Sequence, residues 1–213
     1  MLFKLLPVLK SLRIILLNWM DRIAYWRAQK IIQYFPNNIK GRILDLGCGD
    51  GSVTNVIKEK KGLDVWGVDI VNNLQYKLPF QVCNGKYLPF RDNTFDVVLI
   101  IYVLHHSSDI EGILKECQRV SKGMIIIQED VPTNSLSKWI SSAFDYLGNI
   151  LLLSLAGLIL PSGWQLMEVP FNFRTDEQWK ECFRKIGLKL IEERKVTFSR
   201  LDPVPHRQYI VHP

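Results

Sequence analysis

"RILDLGCGDGSVTNVI", residues 42–57, decides how the rest of the chain is read. Ile43, Leu44 and Leu46 form a short apolar run around Asp45, Gly47, Gly49 and Gly51 fall at alternate positions, and Ser52 to Lys60 has a helical pattern. A strand, a glycine-rich turn and a helix start make a place where a ligand can approach the main chain closely, because no Cβ stands in its way. The spacing is not the G-x-G-x-x-G of a dinucleotide turn, and the lysine of a phosphate-cradling loop is absent. A carboxylate beside the turn suits a pyrophosphate poorly. It suits a ligand bearing an amino group or positive charge.

Outward from this stretch the chain alternates short β-rich runs with helical ones. "LDVWGVD" (63–69) is a second strand ending in Asp69, "PFQVCN" (79–84) a weak third, and "FDVVLIIY" (95–102) a fourth, continuously apolar as a central parallel strand should be. Asp109 to Val120 reads as a helix and "GMIIIQED" (123–130) as the fifth strand. "TDEQWKECFRKIG" (175–187) opens on Thr175 as a cap, carries acids in its first turn and ends on Gly187. "LKLIEERKVTFS" (188–199) and "RQYIVHP" (207–213) close the chain with no helix between them, which requires an antiparallel pair. The pattern predicts an α/β fold: a Rossmann-like, seven-stranded, mostly parallel sheet with helices on both faces and an antiparallel C-terminal strand pair.

At 213 residues and 47% hydrophobic, one domain with a full core is expected. Cys48, Cys83, Cys117 and Cys182 show no C-x-x-C pair and no histidine at ligand spacing, so neither zinc nor disulfides are expected. Reduced thiols fit a cytoplasmic setting. The net charge of +6 is not spread over the chain: residues 1–40 hold seven basic residues against Asp21 alone, and the remainder carries twenty of each sign. The body is neutral, which argues against a nucleic-acid partner.

Residues 1–40 form an apolar and basic arm ahead of the domain at 41–213. In residues 1–26, Lys10, Ser11, Asn18, Asp21 and Arg22 gather within about a third of the helical wheel, and Leu, Ile, Met and Trp fill most of the rest. Two readings stand: a helix packed over the domain or its substrate pocket, or a basic amphipathic helix lying at a membrane surface. A spanning helix or a secretory signal is not indicated, since Arg13 interrupts the apolar run and no small-residue cleavage site follows. A second apolar stretch, an insertion at about 134–165, has Lys138 and Asp145 as its only charges and reads as a buried or pocket-covering helix.

"ILDLGCGDG" resembles the first motif of class I S-adenosylmethionine-dependent methyltransferases. "VWGVDI" is similar to that family's second strand, whose terminal acid binds ribose hydroxyls. "NGKYLPFRDNTFDVVLIIYVLHHSSD" (84–109) resembles its central block, of the small-molecule subgroup with Leu-Pro-Phe and Leu-His-His. Together these cover about residues 41–130 in the right order. The resemblance implies S-adenosyl-L-methionine as cofactor and methyl transfer as the activity. Carried onto this chain, the cofactor-binding residues are Asp45, Gly47, Cys48, Gly49 and Gly51 of the turn, Asp69 and Ile70 at the second strand, Asn84 and Gly85 after the third, and Tyr102 after the fourth. Backbone N–H groups of the turn would face the methionyl part and Asp69 would accept from both ribose hydroxyls. Asn84 stands where the family commonly has Asp, which keeps an acceptor for the adenine amine and loses the charge.

Methyl transfer from a sulfonium needs orientation and, for a hydroxyl or ammonium acceptor, removal of a proton. His105 and His106 are the candidate bases, and no metal is implied. Members that methylate nucleobases or glutamine carry Asn/Asp-Pro-Pro-Tyr after the fourth strand; "IIYV" (100–103) departs from it. With an apolar arm and an apolar insertion as its cover, the expected acceptor is a small hydrophobic molecule, lipid-like, isoprenoid or aromatic. The alternatives are a non-catalytic binding protein on the same fold, whose mark would be a broken cofactor site, and a protein methyltransferase.

Overall fold

The computed structural model describes residues 15, 18, 19, 21–143, 146, 147, 172–199 and 202–213. Residues 1–14 of the arm and most of the insertion, 148–165, lie outside the described residues. A helix over 21–32 (α1) precedes β1 (Arg42–Leu46), α2 (Ser52–Lys61), β2 (Asp64–Asp69), β3 (Phe80–Val82) and β4 (Phe95–Ile101). Then follow a short 3₁₀ turn (Leu104–His106), α3 (Ile110–Val120), β5 (Ser121–Asp130), a helix over 135–143 (α4), α5 (Asp176–Lys185), β6 (Lys189–Val196) and β7 (His206–His212).

The seven strands form one sheet in the order β3-β2-β1-β4-β5-β7-β6. The first five are parallel, and β7 lies antiparallel to both β5 and β6. This is the predicted architecture. The weak third strand shrinks to three residues and β5 starts two residues earlier than its apolar run, at Ser121.

Side-chain alternation builds a core on each face. In β4, Val98 and Ile100 face α3 and α5, packing with Leu114, Cys117, Trp179 and Phe183; Val97 and Leu99 face α1 and α2, packing with Ala28, Ile31, Val56 and Ile57. β5 continues the pattern, with Ile125 and Ile127 on the α3 side and Ile126 on the α1 side. The same period carries on into polar residues at the strand's end, so Glu129 belongs to the α3 face while Gln128 and Asp130 belong to the α1 face.

Local chemistry sets the helix ends. Asp109 caps α3 by accepting from the Gly112 N–H, and Thr175 and Gln178 cap α5 reciprocally. Left-handed Gly62 ends α2, its N–H returning to the Lys58 carbonyl. Among the described residues no helix is long and apolar enough to cross a membrane.

Candidate functional site

The glycine turn joins β1 to α2 at the C-terminal edge of the sheet, where doubly wound folds place their ligands. The N–H groups of Gly47 and Cys48 both donate to the Val68 carbonyl, at 2.7 and 3.1 Å, and that of Gly51 donates to the Cys48 carbonyl at 2.9 Å. Gly49 donates to Asp69 Oδ2 at 2.8 Å. These four N–H groups shape the turn by bonding within it and to β2. What the turn offers is bare backbone. A Cβ on Gly47 would sit 2.4 Å from the Val103 Cγ2, whereas one on Gly49, at φ +56°, would meet nothing within 4 Å. Gly47 makes room for β4, and Gly49 borders open space.

The structure also separates the residues assigned to the cofactor. Cys48 is buried, its sulfur packs on Gly67, and burial pushes its thiol pKa upward. Its backbone closes the turn on both sides, so its part is structural. Asp45 is 2% exposed and accepts from the Thr54 hydroxyl at 2.5 Å, tying β1 to α2. Burial raises its pKa to about 7, opposed by the Thr54 bond and helped by the charges of Asp69 and Asp50.

Asp69 ends β2 with its carboxylate fixed: Oδ1 accepts from the Ile70 N–H at 2.7 Å, and among the described residues Oδ2 accepts only from Gly49, which leaves that oxygen a second lone pair. Ile70 beside it is 51% exposed, an apolar surface next to a carboxylate. Beyond β3, Asn84 is exposed and uses its Oδ1 to accept from the Lys86 N–H at 3.1 Å. Its amide nitrogen has no partner among the described residues. Gly85 is buried at φ +70° beneath Ile113 and Leu46. Gly49, Asp69, Ile70 and Asn84 thus line one edge, over the ends of β1, β2 and β3.

β4 ends differently. Tyr102 takes φ +58°, a backbone state that side chains other than glycine rarely adopt. Its hydroxyl accepts from Gln128 Nε2 at 2.9 Å, and its ring meets Phe198, His206 and the Arg27 guanidinium at 6.2, 5.5 and 5.1 Å. None of these belongs to the glycine turn, so the contacts of Tyr102 do not join it to the cofactor residues.

His105 and His106 lie on the opposite face with their rings in tilted contact, centroids 4.0 Å apart. His105 is buried, with Nδ1 2.6 Å from Glu129 Oε2 and its ring stacked on Phe173 at 4.8 Å. Glu129 Oε1 accepts from the N–H groups of Val103 and Leu104. His106 has a buried Nδ1 without a hydrogen bond, and burial next to His105 lowers its pKa to about 3. Its imidazole is neutral at physiological pH and holds a proton weakly.

Glu129, Gln128, Gln208 and His206 drew no functional reading from sequence. The signal was present in "IIIQED", where three polar residues in succession end a strand whose alternation buries both faces. The Leu-Pro-Phe segment also gains a physical reason. Arg119 of α3 donates to the carbonyls of Leu88 and Phe90, and Glu116 accepts from the Leu88 N–H, so α3 clamps the loop entering β4.

Residues 44–127 match the family model described as a methyltransferase domain. That match spans less than half of the chain. The chain is 34% identical over 119 residues to an uncharacterised protein of Methanocaldococcus jannaschii, covering 53% of this chain and 51% of that one. It is 28% identical over 120 residues to a demethylmenaquinone methyltransferase of Thermotoga maritima, covering 52% of each. The chain spans about half the length of the curated relatives it matches. Among solved structures, an S-adenosylmethionine-dependent methyltransferase of Archaeoglobus fulgidus superposes with a TM-score of 0.60 at 18% identity, covering 91% of this chain and 94% of that one. At that identity the likeness establishes the fold.

The edge built around Gly49 fits S-adenosyl-L-methionine, the cofactor that the sequence motifs imply. Open space at Gly49 admits a bulky ligand to the main chain, the spare lone pair of Asp69 suits a hydroxyl, and exposed Ile70 and Asn84 offer an apolar face and an amide to a base.

Proposed function

We propose that this chain transfers a methyl group from S-adenosylmethionine to a small, apolar acceptor carrying a quinone-type ring. The observation that carries the donor half is the open approach at Gly49 beside the fixed carboxylate of Asp69. The acceptor half is supported by the apolar sequence of the arm and insertion and by the demethylmenaquinone methyltransferase among the relatives. When bound, the cofactor supplies a methyl group already activated on a positive sulfur. The chain's residues then orient and shield: Asp69 accepts from the ribose, Ile70 covers the adenine, Asn84 meets its edge, and Val103 against Gly47 sets the boundary between donor and acceptor. Incubation of the full chain with S-adenosylmethionine and a short-chain demethylmenaquinol should give, by mass spectrometry, a product heavier by one methylene. Absence of that product from a chain that binds S-adenosylmethionine contradicts the acceptor class.

In this reading neither histidine removes the acceptor's proton. His105, anchored by Glu129 and stacked on Phe173, positions the exit of β4, and His106 lacks the basicity for the task.

Contact with a membrane surface belongs to the same proposal. Ile15, Trp19, Ile23 and Trp26 are exposed along one side of the N-terminal helical residues, Leu136 and Trp139 are exposed on α4, and residues 1–40 hold the chain's net charge. Sedimentation with phosphatidylglycerol vesicles should fall when Trp19 and Trp26 are replaced by serine. Unchanged sedimentation counts against the contact.

A further inference from the structure

Asp45 lies on β1 just before the glycine turn, sealed and with one hydrogen bond. It is 2% exposed, its Oδ2 accepts from the Thr54 hydroxyl at 2.5 Å, and its Oδ1 accepts from no donor among the described residues. Its neighbours across the sheet are Gly67 of β2 and Leu99 of β4, and neither brings a polar side chain. The titratable groups that face it are Asp69 at the end of β2, and Asp50 and the Cys48 thiol in the turn; Thr54 is the polar group facing it from α2. No Lys or Arg among the described residues forms an ion pair with Asp45, Asp50 or Asp69, and the charges felt by Asp45 are all negative.

The two neighbouring carboxylates are held by N–H and O–H donors. Asp50 Oδ1 accepts from the Ser52 N–H at 2.9 Å and from its hydroxyl at 2.7 Å, and Asp69 accepts from Gly49 and Ile70. Three carboxylates thus gather at a turn whose Gly49 borders open space, and the described chain supplies no cation for them. Asp45 differs from the other two in having no water and no N–H donor to support a charge. A carboxylate so placed keeps its proton, because burial penalises the ionised form. Burial is accordingly the first cause that lifts its pKa to about 7, and the negative neighbours add to it. Ionising Asp45 calls for a positive charge from outside the chain. S-Adenosylmethionine brings one on its sulfur, and the demethylated product does not.

We infer that Asp45 gives up its proton when the cationic donor binds, and that this sets the chain's preference for S-adenosylmethionine over S-adenosylhomocysteine. This rests on the methyl-transfer reading above and adds the group that tells donor from product. The proton goes to solvent on binding and returns from solvent once the methyl group has left and the sulfur is neutral. Asp45 need not touch the sulfonium, since in a site shielded from water a charge acts over several ångströms. The amino and carboxylate groups are common to both nucleosides and cancel in the comparison. Below about pH 7 the donor must displace a proton, whereas above it Asp45 is already ionised in the free chain. Donor affinity therefore climbs as pH rises through that value and levels off beyond it, while product affinity does not follow.

The full chain is titrated calorimetrically with each nucleoside at pH 6 and pH 8, and at pH 7 in phosphate and in imidazole, whose different ionisation heats count the protons released. The ratio of donor to product affinity should rise about tenfold from pH 6 to pH 8. At pH 7 S-adenosylmethionine should release about half a proton more than S-adenosylhomocysteine. Asp45→Asn cannot ionise and should remove both effects. Thr54→Val takes away the bond that favours the ionised form and should move the rise to higher pH. The inference is overturned if the ratio is the same at both pH values, if donor and product release equal numbers of protons, or if Asp45→Asn keeps the rise. Failure of the methyl-transfer reading is separable: the unsubstituted chain then binds neither nucleoside at any pH.

Discussion

Glu129 Oε2 lies 2.6 Å from His105 Nδ1, with both side chains sealed from solvent, while its other oxygen accepts from the main chain of Val103 and Leu104. One buried carboxylate thus holds the exit of β4 in place. Glu129→Leu strands two buried N–H donors and should cost about 3 kcal/mol or more. Glu129→Gln keeps an acceptor for those donors and offers its amide to the other tautomer of His105, so it should cost far less. Urea midpoints of the two variants check this, and equal losses would argue against it.

Asp45 and His106 tilt stability in opposite directions with pH. Folded Asp45 keeps its proton up to about pH 7 whereas the unfolded chain ionises near 3.8, so its cost grows as pH rises through that window and is complete above it. Asp45→Asn, which mimics the protonated acid toward Thr54, should match the unsubstituted protein near pH 4 and exceed its stability at pH 8 by on the order of 3 kcal/mol. A difference that does not change with pH would refute this.

For His106 the unfolded chain gains a proton below its ordinary 6.5 and the folded chain only near 3, so stability drains away as pH falls between those values. His106→Phe keeps the ring contact with His105 and removes the nitrogen that has no partner among the described residues. It should flatten the acid loss by on the order of 2 kcal/mol at pH 4 and leave methyl transfer intact. Loss of turnover in this variant, with S-adenosylmethionine binding preserved, would restore His106 as a candidate base.

The two glycines divide folding from binding. Gly47→Ala drives a methyl group into Val103 and should destabilise the chain by more than about 2 kcal/mol. Gly49→Ala meets no atom and should cost only its backbone strain, about 1 kcal/mol, yet weaken S-adenosylmethionine at least tenfold by occupying its approach. Thermal unfolding and calorimetry on the pair distinguish the roles. If Gly49→Ala binds normally, the cofactor does not lie where the open space is.

Strand and helix placement were legible because apolar alternation and cap residues act locally. The run "FDVVLII" needs both faces covered, and Thr175 with Gln178 is a cap in sequence and in space. The proposed donor edge can be drawn from the sequence because the glycine turn and Asp69 lie close along the chain. The hydrogen bonds that Cys48 and its neighbours spend on the turn itself were not legible, since they depend on Val68 and Asp69 coming alongside. Tyr102 was read from sequence as a cofactor residue, and the contacts it makes were not legible. Its partners Arg27, Gln128 and His206 come from α1, β5 and β7, and its left-handed backbone is imposed by the fold and not by any local signal.

Asp69 carries the central claim. Calorimetric titration of S-adenosylmethionine into the full chain should show one site, and Asp69→Asn should weaken it about tenfold or more while the fold survives, because one oxygen remains to accept from Gly49. No binding by the unsubstituted chain, or equal binding by both, would contradict the account.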